Sequence, residues 1–250
     1  MSDEYGIIRA QERHLFKDIW EPELKMRFEN ENKAPMRFVR DGIVNEDTWL
    51  SNQSAHIILL LKDTNGYVYW STKEWLEKES FHHDHWKTWR LLAKCIHSLD
   101  FYKKNGVLRT YDEVVKAVNS AQAQHHQIKK SVVVNLKKQP GTSHISDEEL
   151  RHFFNLYNRE HFIDQLRLYS DIDFILCGGQ VIFDIITDNH CEILHKIYGD
   201  IQIDVYPSYK CAVLGNGTVI LGMDHPAIRY SHKDYYNQMI EELKFIKTVS

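Results

Sequence analysis

Paired cysteines are the first thing this sequence lacks. Cys95, Cys177, Cys191 and Cys211 lie far apart with no C-x-x-C spacing, so neither a zinc ribbon nor an iron–sulfur centre is expected, and all four read as small buried apolar residues. No run of about 18 apolar residues occurs, the minimum for a helix that crosses a bilayer. The opening Met1-Ser2-Asp3-Glu4-Tyr5 has neither the basic nor the apolar region of a secretory leader. The expected setting is therefore cytoplasmic, at the nucleoid in a bacterium or in the nucleus of a eukaryote, with no membrane partner. An excess of positive charge is also missing: 31 Lys and Arg stand against 35 Asp and Glu, a formal net charge of −4. Such a chain is not expected to coat nucleic acid nonspecifically, and any contact with it requires a local basic face. Internal repeats and low-complexity tracts are absent.

What is present is the composition of an ordinary globular protein, 43% hydrophobic and 26% charged over 250 residues, enough to bury a substantial core. Residues 1–50 read as an N-terminal helical and irregular extension packed on the core, with an amphipathic helix over Ile7 to Trp20 and a break at Trp20-Glu21-Pro22-Glu23. Residues 51–250 read as the principal domain, and a monomer is expected.

Four strands carry that domain. Ile57 to Leu61, Val132 to Val134 and Asp173 to Cys177 are apolar without polar alternation, as strands covered on both faces of a parallel sheet are. The fourth, Thr218 to Gly222, is the second arm of a hairpin with Cys211 to Leu214 around Asn216-Gly217, preceded by an alternating strand over Ile201 to Tyr206. Between them the spacing predicts helices over Trp86–Leu99, Tyr111–His125, Val181–Asp188 and Ser231–Thr248. Another runs from Ser146 to Tyr169, where Ser146 and Glu149 have the spacing of a capping box. The fold class is α/β with a central, mainly parallel four-stranded sheet.

Each of those strands ends in polar or glycine residues. The first ends at Asp63, the second at Asn135, the third at Gly178-Gly179 and the fourth at Asp224-His225. In open α/β sheets ligands bind just outside such carboxyl ends. One end alone is also explained by an Asx-turn or by close helix–sheet packing. Four that converge would supply a carboxylate, an amide able to read a base edge, backbone donors at a helix start, and an imidazole. Tyr67, Tyr69 and Trp70 follow Asp63 and could stack on a flat ring, or simply pack. Lys137 and Lys138 belong to the densest basic cluster, a candidate phosphate contact or a solvated loop.

With these residues in place, the sequence resembles the uracil-DNA glycosylase superfamily from about His56 to the C-terminal helix. Val133-Val134-Asn135-Leu136-Lys137-Lys138-Gln139-Pro140-Gly141, followed by Ser146-Asp147-Glu148-Glu149-Leu150, resembles its asparagine-to-Pro-Gly segment. Phe174-Ile175-Leu176-Cys177-Gly178-Gly179 resembles its strand ending in Leu-Gly, and His225-Pro226-Ala227 its His-Pro-Ser or His-Pro-Ala motif. Leu61-Lys62-Asp63-Thr64-Asn65-Gly66 occupies the place of the first motif, but Leu61 and Thr64 stand where the family carries glycine and proline.

The resemblance implies a three-layer α/β/α sandwich, uracil-DNA-glycosylase-like, and cleavage of the N-glycosidic bond of a uracil or modified base flipped from DNA. It implies that Asp63 orients water and stabilises the sugar cation, that Asn135 reads the base, that an aromatic from Tyr67 to Trp70 stacks on it, and that neutral His225 donates to the leaving base. It further implies that Lys137, Lys138, Gly178, Gly179 and Arg229 contact phosphate or DNA, single- or double-stranded, with no cofactor. Two other readings compete. One is a noncatalytic nucleobase, nucleotide or DNA sensor using the same pocket. The other is a metal site at His82, His83, Asp84 and His85, whose spacing suits a helix start better than a ligand set.

Overall fold

In the computed structural model, which describes residues 6–31, 38–51, 54–63, 71–78, 87–140, 145–227 and 231–249, the apolar runs become adjacent parallel strands. They are β2 (Ile57–Leu61), β3 (Ser131–Asn135), β4 (Phe174–Gly178) and β7 (Val219–Met223), in the order β3-β2-β4-β7. β2, β3 and β4 are buried at every position, because both faces of the sheet are covered.

The sheet is larger than the expected four strands. β1 (Gly42–Ile43) adds antiparallel to β3, and β6 (Cys211–Leu214) and β5 (Ile203–Tyr206) extend the β7 edge antiparallel, giving a mixed sheet of seven. A two-residue strand such as β1 carries no periodicity to announce it. The Asn216-Gly217 turn is where the sequence places it, and Thr218 N donates to Asn216 Oδ1 at 3.1 Å.

Helices cover both faces. On one lie α1 (Ile7–His14), α2 (Glu21–Asn30), α8 (Asp147–Phe153), α9 (Arg159–Arg167) and α10 (Gln180–Tyr198). Phe16, Trp20, Leu24, Leu150, Phe162 and Ile182 pack there against Ile58, Leu60, Val132, Val134 and Ile175. The opposite face holds α5 (Lys87–Asn105), α6 (Tyr111–Ala117), α7 (Ala121–Ile128) and α11 (His232–Val249), whose Leu92, Ile96, Val114, Ile128, Tyr235 and Leu243 meet Ile57, Leu59, Val133 and Leu176. Burying each such aliphatic or aromatic side chain contributes roughly 1.5–3 kcal/mol. Two further helices, α3 (Glu46–Trp49) and α4 (Thr72–Lys78), are short.

Residues 7–31 and 38–49 contribute to the core and the sheet: Phe16 and Trp20 are fully buried, β1 belongs to the sheet, and buried Glu12 accepts from Ile43 N at 2.8 Å and from Tyr169 Oη at 2.7 Å. Two sequence expectations change. The helical path continues past Trp20, because a wider turn over Leu15–Trp20 precedes Pro22 and α2 starts around that proline. The single helix expected over 111–125 is two, α6 with a Thr110–Glu113 capping box and α7 capped by Ser120.

Glu242 of α11 makes the fold sensitive to pH. It is 5% exposed, and burial pushes its carboxyl up to about 9, with the Gln238 amide opposing and Asp224 adding to the rise. The folded state therefore holds a proton that the unfolded chain releases near 4.5. Stability is fully present below that value and is lost as pH rises toward the folded value, by up to about 1.4 kcal/mol per pH unit. Glu242→Gln is expected to remove this slope. Urea unfolding between about pH 6 and pH 7.5 should show the variant gaining on the order of 2 kcal/mol over the parent, and parallel stability curves for the two proteins would contradict it.

Candidate functional site

The strand order β3-β2-β4-β7 places the reversal of winding between β2 and β4, since β3 lies on one side of β2 and the later strands on the other. A crevice forms outside the carboxyl ends at such a point. The chain leaving β4 packs tightly against the chains leaving β2 and β7. A side-chain carbon on Gly178 would lie 2.7 Å from Leu61 Cδ2 and 3.2 Å from Pro226 Cδ, and one on Gly179 would lie 3.2 Å from Lys62 Cε. Gly179 also has φ of +151°, which favours glycine. Close approach is thus the observed reason for both glycines. Gln180, the first residue of α10, ties the same ends together by donating from Nε2 to Asp224 Oδ1 at 2.9 Å.

Asp63 follows β2 with its side chain 8% exposed. Lys137 Nζ stands 3.8 Å from its Oδ2, an ion pair too long for a hydrogen bond, and Oδ2 makes none. Burial raises the Asp63 carboxyl above its ordinary value. Lys137 opposes the rise, Glu149 adds to it, and Lys62 opposes it. A buried carboxylate oxygen without a hydrogen bond is costly in a finished core and suits an atom that waits for a guest.

His225 reaches the surface on the loop after β7, while Pro226 beside it is buried. Ala227 N donates to His225 Nδ1 at 3.2 Å. With Nδ1 accepting, the neutral ring carries its proton on Nε2 and presents a donor there. Partial burial, with Lys62 adding to it, lowers the proton affinity of the imidazole, which favours the neutral form. Lys62 therefore acts on both Asp63 and His225, and it is itself held by Asp147 Oδ1 of α8 at 2.7 Å.

Asn135 ends β3 opposite Leu61 of β2 and is 2% exposed. Its amide is not free to read a base with both its groups, as the sequence suggested. Asp41 Oδ2 accepts from Asn135 N at 2.7 Å and from Asn135 Nδ2 at 3.0 Å, while Asn135 Oδ1 has no hydrogen-bond partner.

The two lysines are a second correction. Lys138 is fully buried. Its ammonium lies 2.7 Å from each oxygen of Asp41 and over the ring of Trp20 at 4.9 Å, so it contacts no phosphate. Lys137, 7% exposed at its side chain, faces Asp63 and the Phe153 ring. The physical reason is that the chain continues alongside β2 beyond Asn135. Leu136 N donates to Leu61 O at 2.9 Å and Lys137 N to Lys62 O at 3.0 Å, which carries both lysines into the fold instead of onto a solvated loop.

Tyr67, Tyr69, Trp70, Arg229 and the His82–His85 cluster lie outside the described residues. Among the described residues no group of His, Cys, Asp and Glu is arranged to hold a metal ion, and no helix is long and apolar enough to cross a membrane. All four cysteines are buried and unpaired, as expected. A groove of about 370 Å³ between residues 108–112 and α11 contains none of the candidate residues.

Sequence reasoning missed Asp41, Lys62 as a cation that acts on both Asp63 and His225, and Lys137 as the partner of Asp63. The strand-end position of Lys62 was a usable signal; Asp41 gave none. Fold and site together define an α/β protein with a carboxylate after β2 and an imidazole after β7, at the same carboxyl edge of the parallel strands with β4 between them. No protein-family model matches the chain, and no curated protein matches it.

Proposed function

We propose that the chain is a base N-glycosylase of the uracil-DNA glycosylase type, hydrolysing the bond between deoxyribose and a base turned out of the nucleic acid. The observation that carries the reading is Asp63: a carboxylate with an unbonded, buried oxygen at the winding reversal, at the same carboxyl edge of the sheet as His225 after β7. The order β3-β2-β4-β7 with helices on both faces is consistent with the α/β/α arrangement that the motif resemblance implies. In this reading Asp63 orients the attacking water and stabilises the positive charge that grows on the sugar. His225 Nε2–H donates to the carbonyl oxygen on which the leaving base gathers negative charge. The proton that water loses passes toward Asp63, and the departing base is neutralised from solvent.

The test is release of free base from oligonucleotides carrying uracil and a panel of modified bases, with the products separated by chromatography. Release of one base with formation of an abasic site is expected; none across the panel at high protein concentration rejects the reading. The pH profile is a further expected result. Asp63 must be ionised and His225 neutral, so both requirements make the rate climb as pH rises through the raised carboxyl value and the lowered imidazole value, then level off once both are passed. A rate that falls between pH 5 and pH 7 would contradict these roles.

One observation favours the second reading, a noncatalytic sensor of a nucleobase or nucleotide. Lys137 already places a positive charge 3.8 Å from Asp63, where a sugar cation would otherwise be stabilised. That reading expects Asp63→Asn to leave ligand affinity unchanged in a protein that never turns over.

A further inference from the structure

We propose that Lys87, Arg90 and Lys94 of α5, with His232 of α11, form a recessed site for a doubly charged phosphate, either free orthophosphate or the terminal phosphate of a nucleotide. The site uses neither Asp63 nor His225, so it stands whether or not the chain releases a base. α5 and α11 run side by side in the same direction: Ser98 Oγ and Tyr236 Oη are 2.7 Å apart, and Lys247 Nζ near the end of α11 donates to Gly106 O just past α5. α5 descends to the amino edge of the sheet, where Asp100 Oδ1 accepts from Ala55 N ahead of β2 at 2.9 Å, so both helices begin at the carboxyl edge. One turn before Ser98 and Tyr236 stand Lys94 and His232, which brings their side chains together across the two helix starts. Lys87, Arg90 and Lys94 share one side of α5 and pass from exposed through half-buried to buried. Lys94 is 8% exposed, so that side leads inward.

The positive charge stands where a helix disfavours it. α5 opens with Lys87 and Arg90 and has no acid in its first turn, and the first-turn acid of α11, Asp234, accepts from Ser231 Oγ at 2.7 Å. Among the described residues Lys94 Nζ makes one hydrogen bond, to Arg90 O of its own helix at 3.3 Å, and lies 6.0 Å from the centre of the Tyr111 ring. Equally buried Lys130 holds Asp100 at 2.9 Å, Lys138 holds Asp41 at 2.7 Å and Lys137 faces Asp63 at 3.8 Å, so Lys94 alone of the buried lysines described has no carboxylate. A buried ammonium without one is costly. Burial lowers the proton affinity of Lys94, with Cys95 opposing the drop and Arg90 adding to it. Burial lowers His232 too, and Lys94, Lys87 and Arg90 all add to that, Lys94 most. One anion here relieves every group at once.

Two negative charges on one compact tetrahedral group suit this arrangement. A terminal phosphate has three unesterified oxygens and enters end-on, so that one oxygen reaches Lys94 while Arg90, Lys87 and His232 donate to the others. A phosphate within a polynucleotide carries one charge, and the chain leaves it on two sides, which keeps it at the rim beside exposed Lys87.

The test titrates the intact wild-type protein, near neutral pH and at constant ionic strength, with orthophosphate, deoxyadenosine monophosphate, deoxyadenosine or dimethyl phosphate. Calorimetry measures affinity, and ¹⁵N–¹H spectra follow the His232 imidazole. The proposal expects both dianions to bind and to raise the proton affinity of His232, and deoxyadenosine to do neither. It expects dimethyl phosphate to bind at least about tenfold more weakly than orthophosphate. Tighter binding of the nucleotide than of orthophosphate assigns the site to a phosphomonoester, equal binding assigns it to free phosphate, and either supports the proposal. Dimethyl phosphate binding as well as orthophosphate makes this a contact for a polynucleotide backbone and overturns it, as does a His232 resonance that neither dianion moves.

Lys94→Met is expected to weaken orthophosphate at least about tenfold yet to unfold at no lower urea concentration than the parent, because the buried ammonium is gone. Unchanged phosphate affinity in that variant overturns the proposal. Should the variant fail to fold, the wild-type spectra decide.

Discussion

Asp63→Asn is expected to lower the single-turnover rate of base release by at least about a hundredfold while leaving the fold intact, a loss of roughly 3 kcal/mol of transition-state stabilisation. The substitution is nearly isosteric and removes charge from an oxygen that has no hydrogen bond to lose. Burial already disfavours that charge, so the folded protein should tolerate its removal well. Lys137 loses its 3.8 Å ion-pair partner but keeps its place over the Phe153 ring. Rate and stability should therefore separate: urea unfolding of Asp63→Asn close to the parent, and chemistry far below it. If the rate and the affinity for an oligonucleotide containing the base both stay at parental values, Asp63 has no role in the reaction.

The second large effect is on stability and comes from the other side of Asn135. Lys138→Met is expected to cost about 3–5 kcal/mol, because it leaves the Asp41 carboxylate buried without its cation. Asp41 would retain hydrogen bonds from Asn135 and Gln165 but no positive charge at contact distance. Desolvation of Lys138 runs the same way: burial lowers the proton affinity of its ammonium and Asp41 opposes the drop. Against a total stability of about 5–15 kcal/mol for a domain, the loss is large. Replacing both members with apolar residues of similar volume should cost much less than the sum of the single changes. Urea unfolding of the two single variants and the double variant measures this. A Lys138→Met loss under about 1 kcal/mol would show that the pair is not what holds β1 and β3 together.

The parallel centre of the sheet was legible in the sequence because strands covered on both faces have an unbroken apolar signature, and Ile57 to Leu61 and Val132 to Val134 carry it. The first half of α10 was legible too. The helix read as ending at Asp188 breaks there, where Asn189, His190 and Cys191 adopt left-handed conformations. Strand-end logic placed Asp63, Gly178, Gly179 and His225 at the carboxyl ends of β2, β4 and β7, and the structure has them at those ends. It placed Asn135 at its strand end without seeing that half of its amide is consumed.

What escaped has a common physical cause. Polar residues buried through partners distant in sequence look, one at a time, like surface residues. Lys138 meets Asp41 across 97 positions, Tyr169 meets Glu12 across 157, and nothing in the spacing of either pair announces the contact. Lys138 therefore read as a phosphate contact, and nothing in the sequence announced that Glu12, Trp20, Asp41 and β1 join the core and the sheet.

The account turns on Asp63 and His225 acting on one bound base. The most direct test is single-turnover base release from a deoxyuridine oligonucleotide by the wild type, Asp63→Asn, His225→Gln and the double variant. Groups that work on the same transition state are strongly non-additive. The expected result is release by the wild type, about a hundredfold loss in each single variant, and a double variant only slightly worse than either. Wild-type release that survives both substitutions, or single losses that simply multiply in the double variant, would contradict it.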